Sequence, residues 1–198
     1  MKEIIRYIKP ALLLLLLFSI LTGLIYPLAI TAIAQLFFPQ QANGSLLKIN
    51  NQLIGSRLIG QSFTDDKYFW SRPSATLPFP YNAASSSGSN LGPLNPTFIA
   101  TLKDRAAQIK KISMNNNLIP VDLVTASASG LDPEISPAAA FYQAARIAKA
   151  RKLSQVEIIY FINQHIVNRT FGMLGEPRVN VLELNLALDK EIYAERKA

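Results

Sequence analysis

Ser127 and Ser129 lie in Thr125-Ala-Ser-Ala-Ser-Gly130, a run of small residues of the kind that can present a serine nucleophile on a sharp turn. The elbow that does this is G-x-S-x-G, and Thr125 and Ser127 stand where its first glycine is required. A triad would also have to recruit His165, the only histidine of the chain. The run reads instead as a tight strand-to-loop turn that needs small side chains. Asp132 and Glu134, two apart, could form an acid–base pair or a cation site. The stronger reading is that they charge the N-terminus of the helix signalled by Ser136-Pro137. His165 has helical spacing with Ile158, Phe161 and Ile162, which makes it a half-buried or surface residue with no partners for a metal. Phosphate chemistry fares no better. No G-x-x-x-x-G-K-[ST] occurs, and neither Asp66-Lys67 nor Asp189-Lys190 is followed by the Thr-Gly of a phosphorylated aspartate. With no cysteine, a disulfide framework and Cys-ligated zinc are excluded. The expectation is a chain with no catalytic and no metal-ligating residues of its own.

The elements around these residues begin with the N-terminus. Between Pro10 and Pro39 there is no charged residue, and the run Ala11–Phe38 exceeds the roughly 20 apolar residues that cross a bilayer core. Ser19 and Thr22 can bond back to their own helix. Pro27 removes one helix hydrogen bond and should kink the span there. A cleaved signal peptide competes, with Lys2, Arg6 and Lys9 as its basic region and Ala32-Ile33-Ala34 as its cleavage site. The apolar segment before that site is too long for a signal core of about 7–15 residues, so a retained anchor is expected. The basic residues ahead of the span place residues 1–10 in the cytoplasm, 11–38 in the membrane and 39–198 outside.

The exported part carries 17 Lys and Arg against 12 Asp and Glu, scattered rather than striped with aromatics. That excludes a nucleic-acid partner and leaves mild attraction to membrane lipids. Asn43-Gly44-Ser45 marks a turn, and Leu46–Gln61 alternates as two short strands. Tyr68-Phe69-Trp70 suits either a core or an interface. The long irregular stretch that follows, from Arg72 to Pro96, holds five prolines and a serine-rich run. Asn95-Pro96 caps a helix to about residue 112, and Val121–Thr125 is β-prone. Ser136-Pro137 opens an Ala-rich helix to Arg151. Ser154 and Glu157 form a capping box before Ile158–Val167. Val179–Leu188 alternates, with Leu182, Leu184, Leu186 and Leu188 on one face, which predicts a half-buried strand. The fold class is a single-pass N-terminal transmembrane helix followed by one α+β extracytoplasmic domain.

Several long motifs then stand in order. They are Tyr68-Phe-Trp-Ser-Arg-Pro-Ser-Ala75, Ser87-Gly-Ser-Asn-Leu-Gly-Pro93 and Asp122-Leu-Val-Thr-Ala-Ser-Ala-Ser-Gly-Leu-Asp-Pro133 with Ile135-Ser-Pro-Ala138. Gly175-Glu-Pro-Arg-Val-Asn-Val181 through Asp189 and Leu21-Thr-Gly-Leu-Ile-Tyr-Pro27 complete the set. Together they resemble the C subunit of the bacterial Kdp potassium-transporting P-type ATPase, over nearly the whole chain. The resemblance implies a place in a four-subunit inner-membrane complex, with the bulk of the chain periplasmic. The implied partners are a channel-like subunit that selects potassium, a P-type subunit that hydrolyses ATP, and a small single-pass subunit. It also implies an accessory role, stabilising the assembly and acting as a catalytic chaperone that raises the ATP affinity of the hydrolysing subunit. ATP and potassium would be handled by the complex, with no cofactor bound firmly by this chain. Ala128 stands where glycine is the family's alternative, and a backbone requiring positive φ would strain it.

Rivals from other classes are a tethered periplasmic enzyme and a purely structural anchor. The irregular segments Arg72–Pro96 and Thr125–Pro133 are expected to be ordered docking surfaces with Arg72, Tyr81 and Asn90 as polar anchors. The competing expectation for Arg72 is an ion pair with a carboxylate of its own domain.

Overall fold

Pro27 has no N–H to give to the carbonyl four residues back, and its ring would clash with that carbonyl in a regular helix. In the computed structural model, which describes residues 2–49, 51–113 and 117–195, the chain answers this with a turn of π-helix. Helix α1 (Lys2–Ile20) passes into that turn at Leu21–Ile25, where the Tyr26 N–H bonds Leu21 O, and continues as α2 (Tyr26–Phe37). At Pro27, where the sequence predicts a kink, the structure shows a locally widened turn just before the proline. Thr22 Oγ1 donates to Phe18 O at 2.7 Å, so its hydroxyl is satisfied within the helix. Arg6–Phe37 is a largely apolar helical run of 32 residues with no buried residue in its most apolar stretch, long enough to cross a membrane. A single turn, α3 (Pro39–Ala42), follows. Gly44 (φ 83°) then makes the expected turn into β1 (Leu46–Ile49), which pairs with β2 (Gln52–Ser56).

The chain divides into two compact units, one through Ile54 and one from Gly55 onward. The second is a mixed helix and strand domain. Its helices are α4 (Pro96–Ile112), α5 (Pro137–Arg151), α6 (Gln155–His165) and α7 (Val181–Glu195). Its three-stranded antiparallel sheet has the order β3 (Glu134–Ile135), β5 (Arg178–Asn180), β4 (Ile166–Val167). Ile135 and Ile166 both stand opposite Val179, which is fully buried at the centre. Ala139, Ala140 and Ala144 give α5 a face smooth enough to lie close to its neighbours, and Ile147, Ile158, Ile162, Leu184 and Leu188 fill the space between helices.

The helix starts follow the sequence signals. Asn95 Oδ1 accepts from Thr97 N at 2.9 Å, and Ser136 Oγ from Ala139 N at 3.1 Å. Ser154 and Glu157 bond each other's backbone N–H as a complete capping box. That pair of bonds holds the Glu157 carboxyl below its usual value of 4.5. The expected extension to Val167 ends instead at His165, because Ile166 and Val167 join the sheet.

Two strand expectations fail. Val179–Leu188 is strand only as far as Asn180. The buried positions beyond it are Val181, Leu182, Leu184, Asn185 and Leu188, a helical set, while Leu186 is only half-buried. The i, i+2 leucines fit both periods, and the cap decides: Asn180 Oδ1 accepts from Glu183 N at 3.1 Å and starts α7. Val121–Thr125 is likewise not a strand. Val121–Leu123 is a 3-10 turn that buries Leu123, and Thr125 Oγ1 bonds back to Val121 O.

Candidate docking surface

Arg72 heads the long irregular segment, and its guanidinium turns inward. Nη1 lies 3.1 Å from Asp132 Oδ2, with both side chains a little over one quarter exposed, and Nη2 reaches Ala126 O at 3.5 Å. The ion pair within the domain is therefore formed. It draws the start of the proline-rich segment onto the Thr125–Pro133 turn. Tyr81 adopts a left-handed backbone (φ 59°), and its hydroxyl donates to the carbonyl of Arg72. Burial holds that phenol above its usual value. Asn90 also has positive φ (52°) but is exposed and takes no part in the bonds between Arg72 and Tyr81. The structure thus joins two of the three expected anchors and leaves the third aside.

Small hydroxyl residues supply the rest of the framework. Ser74 Oγ donates to Gly130 O at 2.7 Å and accepts from Tyr81 N at 3.0 Å. Thr76 Oγ1 donates to Phe79 O and accepts from Asn82 N, which closes the tip around Leu77-Pro78. Across the gap Ser127 N–H bonds Pro73 O, while Ser129 O accepts from both Ser87 N and Ser86 Oγ. Short hydroxyl side chains suit this task because they reach backbone groups without needing space of their own. Gly130 sits at φ 68°, and a Cβ there would lie 2.5 Å from Thr76 Cγ2 and 2.6 Å from Ser87 O. Close approach of the two segments therefore requires glycine. Ala128 is not among the described residues with positive φ, so alanine is unstrained there. Gly88 is the residue that must be small at this point, since its Cβ would meet Ala128 O at 2.7 Å.

The serine run is thus a turn wedged between segments. Ser127 is buried and Ser129 Oγ accepts from Leu131 N. His165 Nδ1 donates to Phe161 O at 2.8 Å, back along its own helix. The capping role expected for Asp132 and Glu134 is not what they do. Asp132 holds Arg72, and Glu134 pairs with Arg178 of β5 at 2.9 Å. The helix start is served by Ser136, whose own N–H is held by Asp122 Oδ2 at 2.7 Å. Among the described residues no three His, Asp or Glu side chains gather as a metal site requires.

One arrangement escaped the sequence reading. Buried Asn185 of α7 accepts from Phe69 N at 2.8 Å and donates to Phe69 O at 3.0 Å. Gln143 of α5 does the same for Trp70, at 2.8 and 3.2 Å. Two carboxamides therefore stand in for a neighbouring strand and clamp the aromatic segment between α5 and α7. Arg146 binds the carbonyls of Asp66 and Tyr68 and stacks on Trp70 at 4.5 Å. Burial lowers its pKa to about 10, which still leaves it charged at neutral pH. Arg151 pairs with Asp189 at 2.8 Å and lies over Tyr68, whose hydroxyl donates to the same carboxylate. The signal available in sequence was Gln143 and Arg146, three apart on the otherwise alanine-lined face of α5.

These bonds tie the loops to one another and to α5 and α7. Comparison with known proteins gives them a context. The family model described as "K+-transporting ATPase, c chain" matches residues 8–190. Proteins named potassium-transporting ATPase KdpC subunit are similar to this chain over almost their full length. The one from Methylococcus capsulatus is 55% identical over 93% of this chain and 98% of its own. Those from Herpetosiphon aurantiacus and Herminiimonas arsenicoxydans are 57% and 58% identical, over 93% and 92% of this chain and 96% and 97% of theirs.

Proposed function

This chain belongs to the family of the c chain of the K+-transporting ATPase, an accessory subunit of the potassium uptake complex, and on that premise we propose that it acts by docking, without a catalytic site of its own. The observation that carries this reading is the locked pair of loops. Arg72–Pro96 and Thr125–Pro133 are long and irregular, yet hydroxyl, amide and guanidinium groups tie them to each other. Order of that kind in a loop is what a recognition surface requires, because the entropy of fixing it is not then charged to binding.

The basic N-terminus holds residues 1–10 in the cytoplasm and the apolar helix crosses the inner membrane, which leaves the mixed domain on the periplasmic side. From there the chain stabilises the association of a potassium-selecting channel-like subunit, an ATP-hydrolysing P-type subunit and a small single-pass subunit. It binds no cofactor firmly, and ATP and potassium are handled by its partners. It acts as a catalytic chaperone by raising the ATP affinity of the hydrolysing subunit. An external domain cannot touch cytoplasmic nucleotide, so the effect passes through the membrane as a coupling free energy between states of the complex. Arg72 and Tyr81 serve by stiffening the surface from within, and Asn90 by contact from its exposed turn.

The test is the complex purified in mild detergent with and without this chain. The expected result is loss of subunit association together with a higher apparent KM for ATP. Potassium-stimulated ATPase with unchanged KM and yield in the absence of the chain would refute the proposal.

A further inference from the structure

An open cleft of about 630 Å³ lies between the turn that carries Val121 and Asp122 and the hairpin limb Gly175–Arg178. Its walls are acidic in a chain that is basic overall: Asp122, Asp132, Glu134 and Glu176 face Arg72 and Arg178. Two of these carboxylates are matched within the cleft, Asp132 by Arg72 and Glu134 by Arg178. Glu176 is matched from outside it by Arg169, whose Nη2 lies 2.8 and 2.6 Å from its two oxygens. Asp122 spends one oxygen on the Ser136 N–H and meets no cation. Among the described residues Asp122 therefore leaves one carboxylate charge in the cleft without a cation.

Val121, in the wall of the cleft, is 69% exposed. The turn that leads along the chain into the opposite wall at Gly175 presents Phe171 at 86%, Met173 at 76% and Leu174 at 60%. This turn is closed: Thr170 and Leu174 bridge each other, and Gly172 N–H bonds Arg169 O. Three large apolar side chains held out on a fixed turn give up hydrophobic free energy until something covers them.

We propose that this cleft receives an extracytoplasmic loop of a membrane-embedded partner subunit, one that offers a Lys or Arg side chain flanked by apolar residues. The charge pattern selects this occupant. An anionic lipid surface would bring phosphates against the carboxylates, whereas a cationic side chain completes the unmatched Asp122 while its neighbours cover Val121 and Phe171. The inference rests on the docking role proposed above and adds to it the surface and the chemistry of the partner.

The experiment uses the full chain co-expressed with its membrane partners. Phe171→Ala with Met173→Ala removes the exposed apolar turn, and Asp122→Asn removes the unmatched charge while its amide oxygen can still accept from Ser136 N–H; none of these residues is in the core. Each is expected to lower retention of the partners through a detergent wash on the order of tenfold, the size of an interface anchor. Asp122→Asn should lose its effect as salt rises. A photo-crosslinking residue placed at position 171 should join to an external partner segment that contains Lys or Arg. Unchanged retention in both variants would overturn the proposal. So would crosslinks to lipid, to a second copy of this chain, or to a segment without basic residues. If the variants keep their partners while loss of the whole chain still dissolves the complex, only the cleft assignment falls. If loss of the whole chain changes nothing, the docking role falls with it.

Discussion

Replacing Asn185 by leucine isolates the contribution of the carboxamide clamp. Leucine matches asparagine in the number and branching of its side-chain heavy atoms but is bulkier, so at this buried site overpacking adds about 1–3 kcal/mol of its own. What is lost is both partners of Phe69. Its N–H and C=O now rely on Asn185 at 2.8 and 3.0 Å, and Phe69 itself is completely buried. A buried polar group left without a partner costs about 1–3 kcal/mol, so the pair should cost about 2–6 kcal/mol. For a domain of this size each kcal/mol moves the melting temperature by about 2–4 °C, which places the expected fall near 10 °C. Trp70 is the only tryptophan of the chain and lies next to the clamp, so its fluorescence reports the transition directly. The measurement is thermal and urea unfolding of the full chain in detergent, with Asn185→Leu compared against the parent. A loss under about 1 kcal/mol would mean that Phe69 finds other partners and that the clamp does not hold the segment.

Gly130→Ala should destabilise the domain by about 1–3 kcal/mol, because the residue sits at φ 68° and its new methyl meets Thr76 and the Ser87 carbonyl; urea unfolding measures this, and a neutral result would refute the close approach. Glu157 tests the capping box by pH. Its folded pKa is depressed below 4.5, so the stability it adds is present above that value and is lost as pH falls through the lower folded value. Glu157→Gln should therefore flatten the acid side of the stability profile and leave its slope near neutrality unchanged, as read from melting temperatures at a series of pH values.

Much of the architecture was legible because it rests on local chemistry. The apolar N-terminal helix, the two short strands β1 and β2, the starts of α4 and α5 and the capping box of α6 each depend on residues a few positions apart. Family membership was legible for a related reason: long ordered motifs are a property of the chain as written, and the matched region runs from residue 8 to 190. The strand expected over Val179–Leu188 shows where local reading stops. Leucines two apart fit a strand and a helix alike over a few residues, and Asn180 with Glu183 was the signal that separated them.

By itself, then, the sequence determined the long apolar N-terminal helix, the mixed character of the domain behind it, and the family. It did so because hydrophobic length, caps and motifs act through neighbours in the chain. The tertiary structure alone decided that Arg72 reaches Asp132 sixty positions on, that Asn185 and Gln143 pair with the backbone of Phe69 and Trp70, and that Asp122, not Asp132 or Glu134, supports the start of α5. Each of these is a bond between a polar side chain and a group brought beside it by packing. Polar residues carry no periodicity that names such a partner, and only the burial of the surrounding core makes one choice better than water.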